Sequence, residues 1–173
     1  MIKAGFSNVY EVAMGADVTT VNEAKEYIER RLNGEWFMTT SCCAGYNELR
    51  KKLLPDINKY ASETKTPLYY TAQIVKKKHP NAKIVFISPC VAKRKEVLEN
   101  PDTDYILNYT ELKAIFEGRN IKPELCEETP FEQESSKQGR NYGVTGGVAA
   151  AVEKVVADEM DIKPVIIGSL NKE

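Results

Sequence analysis

The chain has 173 residues, 42% hydrophobic and 28% charged, with 24 basic residues against 25 acidic ones and a formal net charge of -1. That length bounds it to one ordinary domain with a sizeable core, and residues 1–173 are read as a single α/β domain. Evenly mixed charge argues against a nucleic-acid or anionic-membrane surface, and no stretch approaches the ~20 apolar residues of a membrane span.

In chain order, "NVYEVAM" (8–14) predicts a first strand. "TTVNEAKEYIERRLNG" predicts a helix, with Thr20 and Glu23 spaced as a capping box and Gly34 as the stop. "EWFMTTS" predicts a second strand that delivers Cys42 and Cys43 at its end. "YNELRKKLL" predicts a helix halted before Pro55. Pro67 opens another, "LYYTAQIVKKKH", which Pro80 ends. "AKIVFIS" (82–88) is the clearest strand, its unbroken apolar centre suiting burial on both faces. It leads into Pro89 and Cys90. "DYILNYTELKAIFEG" predicts a short strand and then a helix capped near Asn108 and closed by Gly118. Residues 119–141 read as irregular. "YGVTGGVAAAVEKVVADEM" predicts a Gly-rich turn running into a helix, and "KPVIIGSL" (163–170) a last strand. The alternation of strands and helices predicts an α/β fold, a mostly parallel sheet flanked by helices.

The four cysteines are Cys42, Cys43, Cys90 and Cys126, and His79 is the only histidine. No CxxC pair is present, so neither a zinc ribbon nor a thioredoxin-type motif is supported. With no export signal at the start, a cytoplasmic location is expected, where thiols stay reduced or bind metal. Adjacent cysteines make a strained disulfide, so Cys42 and Cys43 need another explanation. Two predicted strands end in cysteine, and ligands gather at the carboxyl ends of strands in open α/β sheets. Thiolates converging there suit an iron–sulfur centre; equally, free cysteines serve as small buried hydrophobes. Lys93, three residues after Cys90, suits either a donor to an anionic ligand or a surface lysine beside Arg94 and Lys95. "GVTGGVAAAV" lacks both nucleotide fingerprints. Its glycines, Gly146 and Gly147 among them, suit close backbone approach to a bulky group, or simply a tight turn.

Taken in order, "TSCCAGY", "SPCVAKRKE" and "GVTGGV", with the upstream "GFSNVYEVAMGADVTTVNEA", resemble the signatures of the iron-only (FeFe) hydrogenase catalytic domain. The resemblance runs from Gly5 to Val152. It implies roughly one lobe of a two-lobed domain whose H-cluster joins a 4Fe-4S cubane to a di-iron subsite. By position it implies Cys43 and Cys90 as two of four cubane ligands, Cys42 as the thiol that exchanges a proton with the open iron, and Lys93 as a hydrogen-bond donor to a cyanide. Pro89, Gly146 and Gly147 fall against the cofactor. Glu23, Glu26 and Ser62 fall where the family's proton relay runs, although the capping box would also explain Glu23, and Ser62 would also suit an ordinary loop. One cysteine would thus hold metal while its neighbour moves the proton, since a metal-bound thiolate has no proton to give.

The chain departs from the family at Ala44, Tyr46, Ser88 and Leu68, and in "AAAVEK" after the Gly-rich loop. These changes surround the implied pocket and suit a divergent, hydrogen-sensing branch as an alternative to catalysis; a metal-free relative is a further one. The family's other two cubane cysteines, in a downstream segment, have no counterpart here, and Cys126 falls where the family has no ligand. The chain is therefore expected to be a part of a longer hydrogenase, inactive and without H-cluster alone. The parent is expected to use a ferredoxin-like electron carrier, and the missing lobe is this part's expected partner.

Overall fold

The computed structural model describes residues 1–157 and Met160. The predicted strand 163–170 lies outside those residues. Two compact units share the chain: Met1–Glu11 with Thr71–Glu134, and Val12–Tyr70 with Ser135 onward.

The second unit is built on α1, Ala13–Leu32. Its inward stripe recurs every three or four residues through Ala16, Thr20, Glu23, Ala24, Tyr27 and Ile28, the spacing of one helix face. Val152 and Val156 of α7, Gly147–Val156, close on that stripe, with Ala24 at the centre and Tyr27, Ile28 and Met160 packed around it. The stripe is unusual in carrying a carboxyl: Glu23 is wholly buried. Helix α2, Ala44–Leu53, follows the paired cysteines; α3, Pro67–Lys78, begins at the predicted proline, and from Thr71 on it belongs to the first unit.

The first unit holds the sheet. Strand β1, Val85–Ile87, pairs in parallel with β2, Tyr105–Leu107, with Phe86 opposite Ile106. Between them lies α4, Lys93–Glu99, and after β2 comes α5, Tyr109–Gly118, opened by an Asn108–Glu111 capping box. Phe86, Val97, Ala72 and Val75 are buried here. The short helix α6, Lys137–Arg140, returns the chain to the second unit. The fold is α/β, with a small parallel sheet among helices. No described helix is long and apolar enough to cross a membrane.

Three expectations are corrected. Residues 8–14 form no strand: 8–11 are irregular, and α1 has begun by Ala13. Thr20 and Glu23 form no capping box, because both lie inside α1; the Thr20 hydroxyl instead donates to the Ala16 carbonyl at 2.8 Å, the back-bond that Ser and Thr make mid-helix. The segment 35–41 contributes a single parallel bridge, Thr39 to Ala61, in place of a strand.

Candidate functional site

That one bridge organises the site. The Thr39 N–H donates to Tyr60 O at 2.8 Å, and the Ser62 N–H donates to Thr39 O at 2.8 Å. Two loops, 39–43 and 60–65, are thereby laid side by side. The Ser41 hydroxyl donates to Thr64 O at 3.0 Å, and Asn47 of α2 donates to Ser41 O at 2.7 Å. Both loops deliver polar groups to the carboxyls of α1. Residues three and seven apart share a helix side, so Glu23, Glu26 and Arg30 can serve one path.

Glu23 accepts the Ser41 N–H at 3.2 Å through Oε1, and its buried Oε2 has no hydrogen-bond partner among the described residues. Burial disfavours the charged form of a carboxyl. It raises Glu23 to about 7, against the Ser41 N–H and the adjacent Ser62 hydroxyl, while the Glu26 charge adds to the rise. Glu26 behaves oppositely. Burial pushes it up, but the Ser62 hydroxyl, the Glu63 N–H, the Thr64 hydroxyl and the Arg30 charge together hold it below the ordinary value. Ser62 donates to Glu26 Oε2 at 2.6 Å and Thr64 Oγ1 donates to the same oxygen at 2.9 Å. Arg30 pairs with Glu26 Oε1 at 2.8 Å. Two carboxyls on one helix are thus driven apart in proton affinity, with a hydroxyl between them. Such separation is how one site both accepts and passes protons near neutrality.

Cys42 and Cys43 differ in exposure where extended backbone turns into α2. Cys43 is exposed and is the N-cap of α2, its sulfur accepting the Tyr46 N–H at 3.4 Å. Cys42 is half-buried. A charge on Cys42 or on Glu23 would raise Tyr142, so all three groups lie within electrostatic reach. Gly146 is left-handed at φ 78° and caps α7; a Cβ on Gly147 would meet Asn141 O at 1.9 Å. These glycines are therefore demanded by the turn itself.

The first unit holds the remaining candidates. Pro89 and Cys90 follow β1, where the Cys90 N–H donates to Ser88 Oγ at 3.2 Å. Lys93 opens α4 and pairs with Glu96 at 2.5 Å. The structure thus gathers Glu23, Glu26, Ser62 and Cys42 in the second unit with Cys43, Gly146 and Gly147, and places Pro89, Cys90 and Lys93 in the first. Two residues that the sequence had not singled out for the site, Thr64 and Tyr142, belong to the carboxyl cluster. Neither lies in a motif; only Tyr142's position two residues before the Gly-rich loop "VTGG" hinted at it.

A 4Fe-4S cubane needs four thiolates. Cys43 and Cys90 fit it in kind, and the chain falls short in number: Cys126 bonds the Lys122 carbonyl within its own turn, and among the described residues no three His, Cys, Asp or Glu side chains gather for a metal.

Comparison with known proteins gives a consistent result. The family model described as "Iron only hydrogenase large subunit, C-terminal domain" matches residues 1–169. Iron hydrogenase 1 of Clostridium pasteurianum is 29% identical over 174 residues, which cover 89% of this chain and 30% of the relative. The NADP-reducing hydrogenase subunit HndD of Solidesulfovibrio fructosivorans is 28% identical, with 86% of this chain and 30% of the relative covered. Among solved structures, an apo FeFe-hydrogenase HydA1 from Chlamydomonas reinhardtii superposes with a TM-score of 0.70 at 27% identity, over 86% of this chain and 43% of that one. Another, solved to follow oxygen inactivation through degradation of the H cluster 2Fe subcluster, gives 0.74 at 25% identity over 98% of this chain and 48% of that one. The chain spans about a third of the length of these curated relatives.

Proposed function

Because the chain belongs to the family of C-terminal domains of iron-only hydrogenases, we propose that it is the proton-handling part of a hydrogenase. The whole protein interconverts molecular hydrogen with protons and electrons at an H-cluster and exchanges the electrons with a ferredoxin-like carrier. When bound, the cluster supplies the iron site for hydrogen and the relay for electrons. This chain contributes Cys43 and Cys90 as half of the cubane thiolates, and the lobe absent from it contributes the rest. In the whole protein, the family resemblance gives Lys93, Pro89, Gly146 and Gly147 as the residues that would stand against the cluster.

The observation that carries this reading is the pair of buried Glu23 and half-buried Glu26 with Ser62 between them. Cys42 exchanges the proton at the reacting centre. Glu23, raised to about 7, takes that proton or returns it at little cost. Neutral Glu23 passes its proton to Ser62 Oγ as Ser62 passes its own to Glu26 Oε2, 2.6 Å away. Glu26, one-fifth exposed and held ionised, completes the transfer toward solvent. General acid–base groups contribute roughly 100- to 10,000-fold to such steps. Glu23→Gln in the intact hydrogenase should therefore lower hydrogen turnover about 100-fold or more while iron content stays unchanged; undiminished turnover would exclude the relay. This chain by itself assembles no complete cluster and turns over no hydrogen. Stoichiometric iron and acid-labile sulfide in the isolated chain, together with activity, would overturn that.

A further inference from the structure

Thr20 and Tyr142, 122 positions apart, stand 2.7 Å apart through their hydroxyls. A threonine hydroxyl has one proton. Thr20 gives its proton to the Ala16 carbonyl at 2.8 Å, so the proton shared in the pair belongs to Tyr142, and Thr20 accepts it. The phenol oxygen is left with lone pairs and no proton for any other group, and Glu23, Cys42 and Asp17 all lie within electrostatic reach of it. Around Glu23 itself stand Ser41 N–H, Ser62 and Glu26, and no donor among the described residues reaches its Oε2.

We infer that Tyr142 is a positioning residue that insulates the path: because Thr20 holds its proton, it can neither donate to Glu23 nor carry protons away from it. Among the described residues, the hydroxyl left to exchange with Glu23 is that of Ser62, which directs protons to Glu26. Burial, with the charges of Glu23, Cys42 and Asp17, keeps the phenol protonated well above its ordinary value, so it stays a wall across the working pH range. The inference rests on reading Glu23 as a proton carrier, and its test reads the carboxyl directly, so it stands or falls apart from turnover.

The experiment is an infrared pH titration of the Glu23 carboxyl in the full chain, its band identified by loss in Glu23→Gln. Thr20→Val releases the phenol proton, which turns toward the carboxylate and lowers the Glu23 midpoint by about one pH unit. Thr20→Ser keeps the acceptor and leaves the midpoint in place. In a Tyr142→Phe background, Thr20→Val moves nothing further. An unchanged midpoint in Thr20→Val, or an equal fall with and without the tyrosine hydroxyl, overturns the inference. Should Tyr142→Phe fail to fold by circular dichroism, the contrast between the valine and serine variants decides alone.

Discussion

Ser62 Oγ lies 2.6 Å from Glu26 Oε2, a bond that spans 36 positions of chain and ties the 60–65 loop to the middle of α1. It does not act alone, since the Glu63 and Thr64 backbone N–H groups and Thr64 Oγ1 also reach Glu26. Ser62→Ala should therefore cost only about 1 kcal/mol of stability. In the intact hydrogenase it should cost about 10-fold or more in turnover. Calorimetry set beside hydrogen assays checks the contrast; proportionate losses would mean that the serine is merely structural.

Glu23 makes stability depend on pH in the reverse of the usual carboxylate sense. Its folded value, about 7, lies above the 4.5 of the unfolded chain. Its contribution is fully present below 4.5 and is lost as pH rises through 7, where a buried charge must form. The loss is about 3 kcal/mol. Glu26 slopes the other way, its contribution present above 4.5 and lost as the solution is acidified. Glu23→Gln should remove the decline between pH 4.5 and 7 and leave the acid limb; urea titrations across that range measure it.

Cys43 has two roles that serine and alanine separate. Its sulfur caps α2, and serine is the better cap. Cys43→Ser should keep or slightly raise the stability of the metal-free chain, while Cys43→Ala lowers it by about 0.5 kcal/mol. Both should strip most cubane iron from the intact hydrogenase. Retention of iron in either variant would remove Cys43 from the ligand set.

Gly147 admits no side chain, because a Cβ would sit 1.9 Å from the Asn141 carbonyl oxygen, which is backbone. Gly147→Ala should destabilise the second unit by more than about 3 kcal/mol. Gly143→Ala, with open space around it, should change stability by less than about 1 kcal/mol. Thermal melts of the two variants make the comparison.

Asn108 and Glu111 close a reciprocal cap, with Asn108 Oδ1 accepting at 2.8 Å and Glu111 Oε2 accepting at 2.7 Å. Asn108→Ala should cost about 1 kcal/mol, read as earlier hydrogen exchange in the first turn of α5.

Local chemistry was legible wherever it sufficed. Asn108, Pro67 and the halt before Pro55 announced their helix ends, because caps and prolines act within one turn. The start of α1 was hidden, since Val12 caps it without a side-chain bond, and the Thr20–Glu23 spacing imitated a start well inside it. What overrides that local signal is tertiary structure: Thr20 meets Tyr142 and Glu23 accepts the Ser41 N–H, partners from elsewhere in the chain. The bridge at Thr39 was read as a full strand because Trp36, Phe37 and Met38 make an apolar run, yet Trp36 and Phe37 remain exposed. In the site, Glu23, Glu26 and Ser62 were named through resemblance alone; no spacing rule joins position 62 to position 26. Tyr142 escaped because its meaning depends on where Thr20 sends a single proton.

Arg30 binds Glu26 and Glu35 and also the carbonyls of Lys59 and Ala61. Only a planar, five-donor cation can satisfy four acceptors in such different directions; a lysine at this place would abandon at least one. Because the guanidinium is 14% exposed, added electrolyte should loosen the open Lys83–Asp104 pair long before it disturbs this knot. The 60–65 loop would then stay tied to the middle of α1 in brine, at ionic strengths that part the surface pairs.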